Sequence, residues 1–213
     1  MIVKDFIDEF FPEAPYPSHI VFRLVTICWV VIVTIFAYPP LFKYLALNPQ
    51  KFYPWQLLTA IFCSLSPYAL FYSSATFWMF GRHVENELGE KHFIRFFFVS
   101  TISANFFWLI YTCLFRPGAT DYAYGLEGIN YACIYAYAYF NPHKSIRLNS
   151  FVTLRARHFA ILYGIFALLH TLDRRYGGPD DLLALCGMLV AAAYLDITYN
   201  GPLSRQIRAS VSE

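Results

Sequence analysis

Long apolar runs, separated by short charged or proline-containing breaks, constrain the fold of this chain more than any other feature. The first run, residues 20–37, holds one charged side chain, Arg23, and is followed by two prolines. An α-helix needs about 20 apolar residues to cross the hydrocarbon core of a bilayer. Helices satisfy their backbone hydrogen bonds within one segment, as lipid surroundings require. The sequence therefore predicts an all-α, polytopic membrane protein.

Five more apolar runs follow, which predicts a bundle of six transmembrane helices. Residues 55–63 are expected to form an interfacial or partly inserted piece ahead of the second helix. The predicted organisation is a polar N-terminal segment at 1–19, a membrane domain at 20–198 and a short tail at 199–213. The six predicted spans are residues 20–37, 67–80, 93–115, 124–140, 159–172 and 182–195.

Composition supports a membrane protein and excludes several other classes. Charged residues make up 14% of the chain, against about 25% in soluble proteins. The formal net charge of +2, without a Lys/Arg block, argues against nucleic acid as a partner. The five cysteines lie in apolar segments and lack the spacing of a metal site. We predict no cofactor and no metal, but expect bound lipids.

The distribution of basic residues predicts an orientation in the membrane. An even number of spans puts both termini on one side. That side receives most of the Lys and Arg residues, including Arg82, Lys91, Arg155 and Arg157. The positive-inside rule then predicts both termini inside. The N-terminus is acidic and resembles neither a secretory signal nor a mitochondrial transit peptide.

Several residues could carry chemistry inside the membrane. An intramembrane Ser/His dyad using His170 is one hypothesis; serine hydroxyls that bond to helix carbonyls are the simpler interpretation. Asp180 or Asp181 is predicted to cap the last helix. Glu127, near the start of a span, either binds a cationic group of a partner, caps its helix in a wet pocket, or pairs with Arg116. The candidate serines are Ser66, Ser73, Ser74, Ser100 and Ser103.

Four motifs, in order, resemble the rhomboid-like superfamily of six-helix membrane proteins. Residues 80–89, FGRHVENELG, match the signature F-G-R-x-h-E-x-x-L-G, and residues 55–59, WQLLT, are similar to W-R-x-x-T with Gln for Arg. Residues 125–128, GLEG, stand where rhomboid proteases carry G-x-S-G, and residues 184–191 resemble H-x-x-G-x-x-x-G. The resemblance implies that the positions keeping the fold are Trp55, Gly81, Arg82, Glu85, Gly89, Gly125, Gly128, Gly187 and Ala191.

Departures from these motifs imply that catalysis has been lost. Glu127 replaces the nucleophilic serine, and Ala184 replaces the general-base histidine. The histidine and asparagine that stabilise the oxyanion in active rhomboids correspond to Ala69 and Ser73. Loss of one member of a catalytic unit removes most activity. The chain therefore resembles a pseudoprotease, and we predict that it is not an enzyme.

The resemblance suggests two functions. In the first, the protein is a non-catalytic scaffold subunit that binds transmembrane helices of partners in a larger membrane complex. A respiratory, ATP synthase or translocase complex of the mitochondrial inner membrane is the expected location, since the sequence has no N-glycosylation sequon. In the second, it is a Derlin-like factor that recognises and retrotranslocates misfolded proteins at the endoplasmic reticulum. In either function Glu85 is expected to hold helices together, and Glu127 to contact partners.

Overall fold

The computed structural model describes residues 19–116, 118, 120–149, 152–172 and 179–200. Nearly all of the predicted N-terminal segment and tail lies outside these residues, as does most of the predicted loop at 174–181. The described helices are α1 His19–Ala37, α2 Pro40–Leu45, α3 Gln56–Thr59, α4 Pro67–Leu88, α5 Glu90–Phe115, α6 Glu127–Phe140, α7 Ala156–Leu172 and α8 Pro179–Leu195. A 3₁₀ turn, Ala60–Phe62, follows α3, and a π-helical turn, Asp196–Asn200, follows α8.

A β-hairpin corrects the all-α prediction. Strand β1, Ser145–Asn149, pairs antiparallel with β2, Val152–Arg155, with Ser145 opposite Arg155 and an irregularity between Arg147 and Asn149. Apolar and polar residues alternate along both strands, which is the period of a β-strand rather than a helix. This alternation was present in the sequence, but the basic residues there were interpreted only as topology signals. The chain is therefore mostly helical, with one hairpin between α6 and α7.

Fewer of the described helices than the predicted six are long and apolar enough to span a membrane. Among the described residues, three helices are long and apolar enough to cross a bilayer: His19–Ala37, Glu90–Phe115 and Asp181–Tyr199. A fourth span results if α3 with its 3₁₀ turn and α4, which are bent by 100°, count as one. Helices α6 and α7 have 14 and 17 residues. Six spans therefore stay a prediction.

Helix α4 extends beyond the predicted span at 67–80 and includes most of the charged signature. Pro67 occupies the first turn, and the Ser66 hydroxyl accepts a hydrogen bond from the Ala69 N–H, as an N-cap does. The helix ends at Leu88, and Gly89, with a φ of 74°, turns the chain into α5. The charged residues continue the helix because they become buried against other elements. The signature is thus an internal contact surface of α4 rather than a break between helices.

The short helix α6 lies at the centre of the bundle. It packs against α4, α5, α7 and α8, and most of its residues are buried. This position agrees with the expectation that a short span with internal polarity is surrounded by protein. At one end of the bundle, which we call the hairpin end, the β-hairpin contacts the helix α7 that follows it, and Lys144 interacts electrostatically with His83 of α4.

The segment between α1 and α4 is fastened by the residues of the W-Q-x-x-T motif. Gln56 is fully buried; it accepts from the Tyr53 N–H at 3.1 Å and donates to the Lys43 carbonyl oxygen at 3.4 Å. The indole of Trp55 donates to the Tyr44 carbonyl oxygen, and the Thr59 hydroxyl donates to that of Leu45. The motif therefore stabilises the preceding loop, and Gln can do this in place of the arginine of the resembling family.

Candidate functional site: a serine and a glutamate joined by a hydrogen bond

The structure brings Glu127 and Ser73 into direct contact. Helix α4 carries Ser73, α6 begins with Glu127, and the Ser73 hydroxyl donates to Glu127 Oε1 at 2.7 Å. The Asn130 amide, one turn along α6, donates to the Ser73 carbonyl oxygen at 3.1 Å. A carboxylate in the first turn of a helix is favoured by the positive end of the helix dipole. Two positions of the predicted degenerate site therefore form one hydrogen-bonded unit.

Helices α6 and α8 touch through their backbones directly behind this unit. A Cβ added at Gly187 would overlap the Gly128 carbonyl group, and one added at Gly128 would lie 3.4 Å from the Leu183 carbonyl oxygen. Ala184 follows Leu183 on α8 and is buried, as is Ala191 one turn after Gly187. Small residues permit this approach between membrane helices. The lack of side chains at Gly128 and Gly187 therefore lets α6 and α8 approach closely.

Gly125 completes the backbone frame of the site. Its φ of 97° is a conformation that side-chain-bearing residues rarely adopt, and its N–H donates to the Ala60 carbonyl oxygen. Two residues earlier, Ala123 pairs with Leu47 as an isolated β-bridge. The loop that precedes α6 is therefore tied to the segment between α1 and α4.

Other candidates for catalysis make contacts of their own. Ala69 is exposed at the start of α4, where its N–H bonds to Ser66. His170 lies 3.7 Å from a carboxylate oxygen of Asp181 and is 53% exposed, while the Ser73 hydroxyl donates to Glu127. The Ser/His dyad that used His170 stays a hypothesis.

One predicted pairing is corrected. Arg116 forms an ion pair with Asp121 at 3.2 Å, so the interpretation that it pairs with Glu127 is wrong. Helix α8 begins at Pro179, which places Asp181 in its first turn, 3.7 Å from His170. The cap by Asp180 or Asp181 stays a prediction. The side chain of Asp180 is outside the described residues. No local pattern in the sequence predicted the pairing of Arg116 with Asp121 or the contact between His170 and Asp181.

Two tyrosines extend the polar unit toward α7. The rings of Tyr131 on α6 and Tyr163 on α7 are 5.5 Å apart, and the Glu127 carboxylate interacts electrostatically with both phenols. We call Ser73, Glu127, Tyr131 and Tyr163 the polar site. Sequence reasoning missed the tyrosines because the chain holds 17 of them and no spacing distinguishes these two. The site can accept hydrogen bonds at its carboxylate and donate them from its hydroxyls.

The polar site joins residues of α4, α6 and α7, and α4 contacts α7 directly at the hairpin end. At the hairpin end, Phe80 of α4 stacks on Phe159 of α7 with ring centroids 5.7 Å apart. Toward the opposite end, both helices expose large apolar side chains. We call the surface formed by these two rows the lateral cleft; its exposed residues are Tyr68, Phe71 and Tyr72 on α4 and Ile165, Phe166 and Leu169 on α7.

The other glutamate, Glu85, fastens α1 to α4. Its two carboxylate oxygens accept from the N–H groups of Ile20 and Val21, each at 3.1 Å. These donors lie in the first turn of α1, where backbone N–H groups have no partner within the helix. A Cβ added at Gly81 would lie 3.2 Å from Val21, so α1 and α4 approach closely there. The buried Arg82 guanidinium lies over the Trp78 ring.

All of the described residues, with Glu85 and Glu127 among them, lie in a region that matches a known family. The model of a family described as eukaryotic integral membrane protein (DUF1751) matches residues 19–201. The chain belongs to this family. For this DUF1751 protein, comparison with curated proteins gives no match. The family description establishes an integral membrane protein, and the rhomboid-like resemblance stays a prediction from the motifs.

Proposed function

We propose that this DUF1751 protein is a non-catalytic, rhomboid-like membrane protein that binds a transmembrane helix of a partner in its lateral cleft. The observation that carries the proposal is the hydrogen bond from Ser73 to Glu127. Glu127 stands where the resembling proteases carry a nucleophilic serine, and its carboxylate already accepts a hydrogen bond. Such a pair binds donors and cations and has no hydroxyl nucleophile at residue 127.

The cleft offers the two kinds of contact that a partner helix would need. Its walls are exposed aromatic and aliphatic side chains, Phe71 and Phe166 among them. Within a bilayer, helices associate through close packing and interhelical hydrogen bonds. The polar site between the walls supplies such bonds, and its carboxylate favours a Lys or Arg near the end of the partner's span. A helix with one such residue fits the cleft best.

The proposed location is a larger membrane complex, with the mitochondrial inner membrane as our first choice. The support is the predicted pseudoprotease character and the lack of glycosylation sequons. In this arrangement both termini lie on the matrix side. The partner helix belongs to a permanent neighbouring subunit, and the DUF1751 protein acts as its scaffold.

A second candidate is a Derlin-like role in retrotranslocation at the endoplasmic reticulum. The observation that favours it is the length of α7, which exposes apolar side chains to the surroundings and has 17 residues, or about 26 Å at the rise of an α-helix. A span shorter than the hydrocarbon core thins the bilayer around it. Thinned lipid next to an open cleft would help a misfolded client leave the membrane.

Photo-crosslinking followed by mass spectrometry separates these functions. A photoreactive residue replaces Phe71 in the cleft, or Phe107, an exposed residue of α5, as the matched control. We expect one partner to crosslink stoichiometrically at Phe71 and to co-migrate with the protein on a native gel in mild detergent. Many substoichiometric clients would favour the Derlin-like role. Equal crosslinking at Phe107 would contradict docking in the cleft.

A further inference from the structure

A second apolar surface lies on the side of α6 away from α4, between α6, α7 and α8. It is a groove of about 440 Å³, a volume within the range of about 300–1,000 Å³ for small-molecule sites. Its floor is made by small residues, including Ala160, Gly164 and Ala192. The exposed side chains of Ile161 and Leu189 form its rims. The groove therefore opens on the surface that would face lipid.

The groove is confined to the half of the bundle next to the hairpin end. Its residues come from the last turns of α6 and α8 and from the first turns of α7. Along α7 it extends from Arg157 to Gly164, which is about 10 Å of helix. One end is thus at the predicted membrane surface, and the other lies within the predicted hydrocarbon region. This depth suits part of an acyl chain.

One positive charge stands at the mouth of this apolar groove. Arg157, in the first turn of α7, is exposed and is the one charged side chain among the described residues that line the groove. Tyr135 and Tyr139 line the same end, where a phenol can place its ring in the groove and its hydroxyl in the headgroup region. Asp196 interacts electrostatically with Tyr135 but is not a lining residue. The described residues that line the groove therefore carry a net positive charge.

We propose that this groove binds one anionic phospholipid, with an acyl chain along α7 and the headgroup phosphate at Arg157. A guanidinium binds phosphate oxygens with parallel N–H donors, which gives it geometric as well as electrostatic selectivity. The apolar floor contributes affinity through the buried part of the acyl chain. The site is separate from the lateral cleft, since it lies on α6, α7 and α8 without α4.

The test measures lipid retained by the full chain after purification in detergent. Dioleoyl phosphatidylglycerol or dioleoyl phosphatidylcholine is added, and bound lipid is counted by native mass spectrometry. We expect the wild type to retain one phosphatidylglycerol with about fivefold preference, the equivalent of about 1 kcal/mol for one arginine near an anionic lipid. Arg157→Gln abolishes the preference, whereas Ala192→Leu fills the groove and reduces retention of both lipids.

The control is Arg155→Gln, which removes an exposed arginine two residues away, on β2. It keeps the fivefold preference if the groove holds the lipid. An equal loss in Arg155→Gln and Arg157→Gln would overturn the proposal, because general surface charge would then explain binding. Equal retention of both lipids by the wild type would overturn it too. Should Ala192→Leu fail to fold, the two arginine variants decide.

Discussion

Glu85 and Glu127 each lie next to the N-terminus of a helix, α1 for Glu85 and α6 for Glu127, but their roles differ. Glu85 is buried and accepts from two backbone N–H groups of α1, a helix that begins more than sixty residues earlier. Glu127 is half-buried and accepts from one side-chain hydroxyl. The first has both oxygens committed to backbone donors. The second keeps a more accessible carboxylate beside an open cleft.

The difference teaches where the fold can be altered. Removing Glu85 leaves one buried and one partly buried backbone N–H group without an acceptor, which is costly. Removing Glu127 leaves a serine hydroxyl that can bond to a carbonyl of its own helix. The family resemblance points the same way, since the residue at 85 agrees with the motif and the residue at 127 departs from it. The comparison can be tested by substitutions of decreasing effect on stability.

The largest effect is expected at Gly187, where α8 contacts the backbone of α6 next to the polar site. Gly187→Ala places a methyl group against the Gly128 carbonyl, which is backbone and cannot move aside alone. We expect a loss of about 3 kcal/mol or more in the free energy of unfolding, as for severe overpacking. Gly164→Ala is the control, because its Cβ meets only the flexible Met188 side chain. Thermal unfolding in detergent measures both; equal melting temperatures would contradict the backbone contact.

Glu85→Ala is expected to have the next largest effect. It leaves the N–H groups of Ile20 and Val21 without their acceptor, and each buried orphan costs about 1–3 kcal/mol. We expect a total loss of about 2–3 kcal/mol. Glu85→Gln, which keeps one acceptor oxygen, should recover part of it. Glu87→Ala, at an exposed position on the same helix, is the control. A melting temperature as high as that of the control would refute the capping role.

Gln56→Leu tests whether the loop between α1 and α4 belongs to the frame. The substitution preserves volume but removes the acceptor for the Tyr53 N–H and the donor to the Lys43 carbonyl oxygen. Because these bonds are neutral and some are long, we expect a loss of about 1–2 kcal/mol. Limited proteolysis of residues 46–54 should become faster. Unchanged cleavage there, relative to the variant Glu87→Ala at an exposed site of α4, would show that Gln56 does not stabilise the loop.

The sequence predicted many of the helices and helix contacts, but few of the contacts in the polar site. Apolar runs predicted the helices because a bilayer-crossing helix has an unmistakable composition, and the motif with Gly81 and Glu85 predicted contacts between them. The extension of α4 to Leu88 was not predicted, since charges buried by distant partners look like a loop in sequence. The Ser73–Glu127 hydrogen bond joins residues 54 positions apart. The motif resemblance assigned both residues to a degenerate active site, but no pattern predicts that pairing.

The smallest effect on folding, and the largest on binding, is expected for Glu127→Ala. The variant loses one hydrogen bond from Ser73, so the free energy of unfolding should change by about 1 kcal/mol or less. Stoichiometric crosslinking at Phe71 should nevertheless fall sharply, and Glu127→Gln, which keeps an acceptor without charge, should retain part of it. Glu87→Ala again serves as the control. If Glu127→Ala lowers the melting temperature as much as Glu85→Ala, both carboxylates belong to the frame and the assignment of Glu127 to binding is wrong.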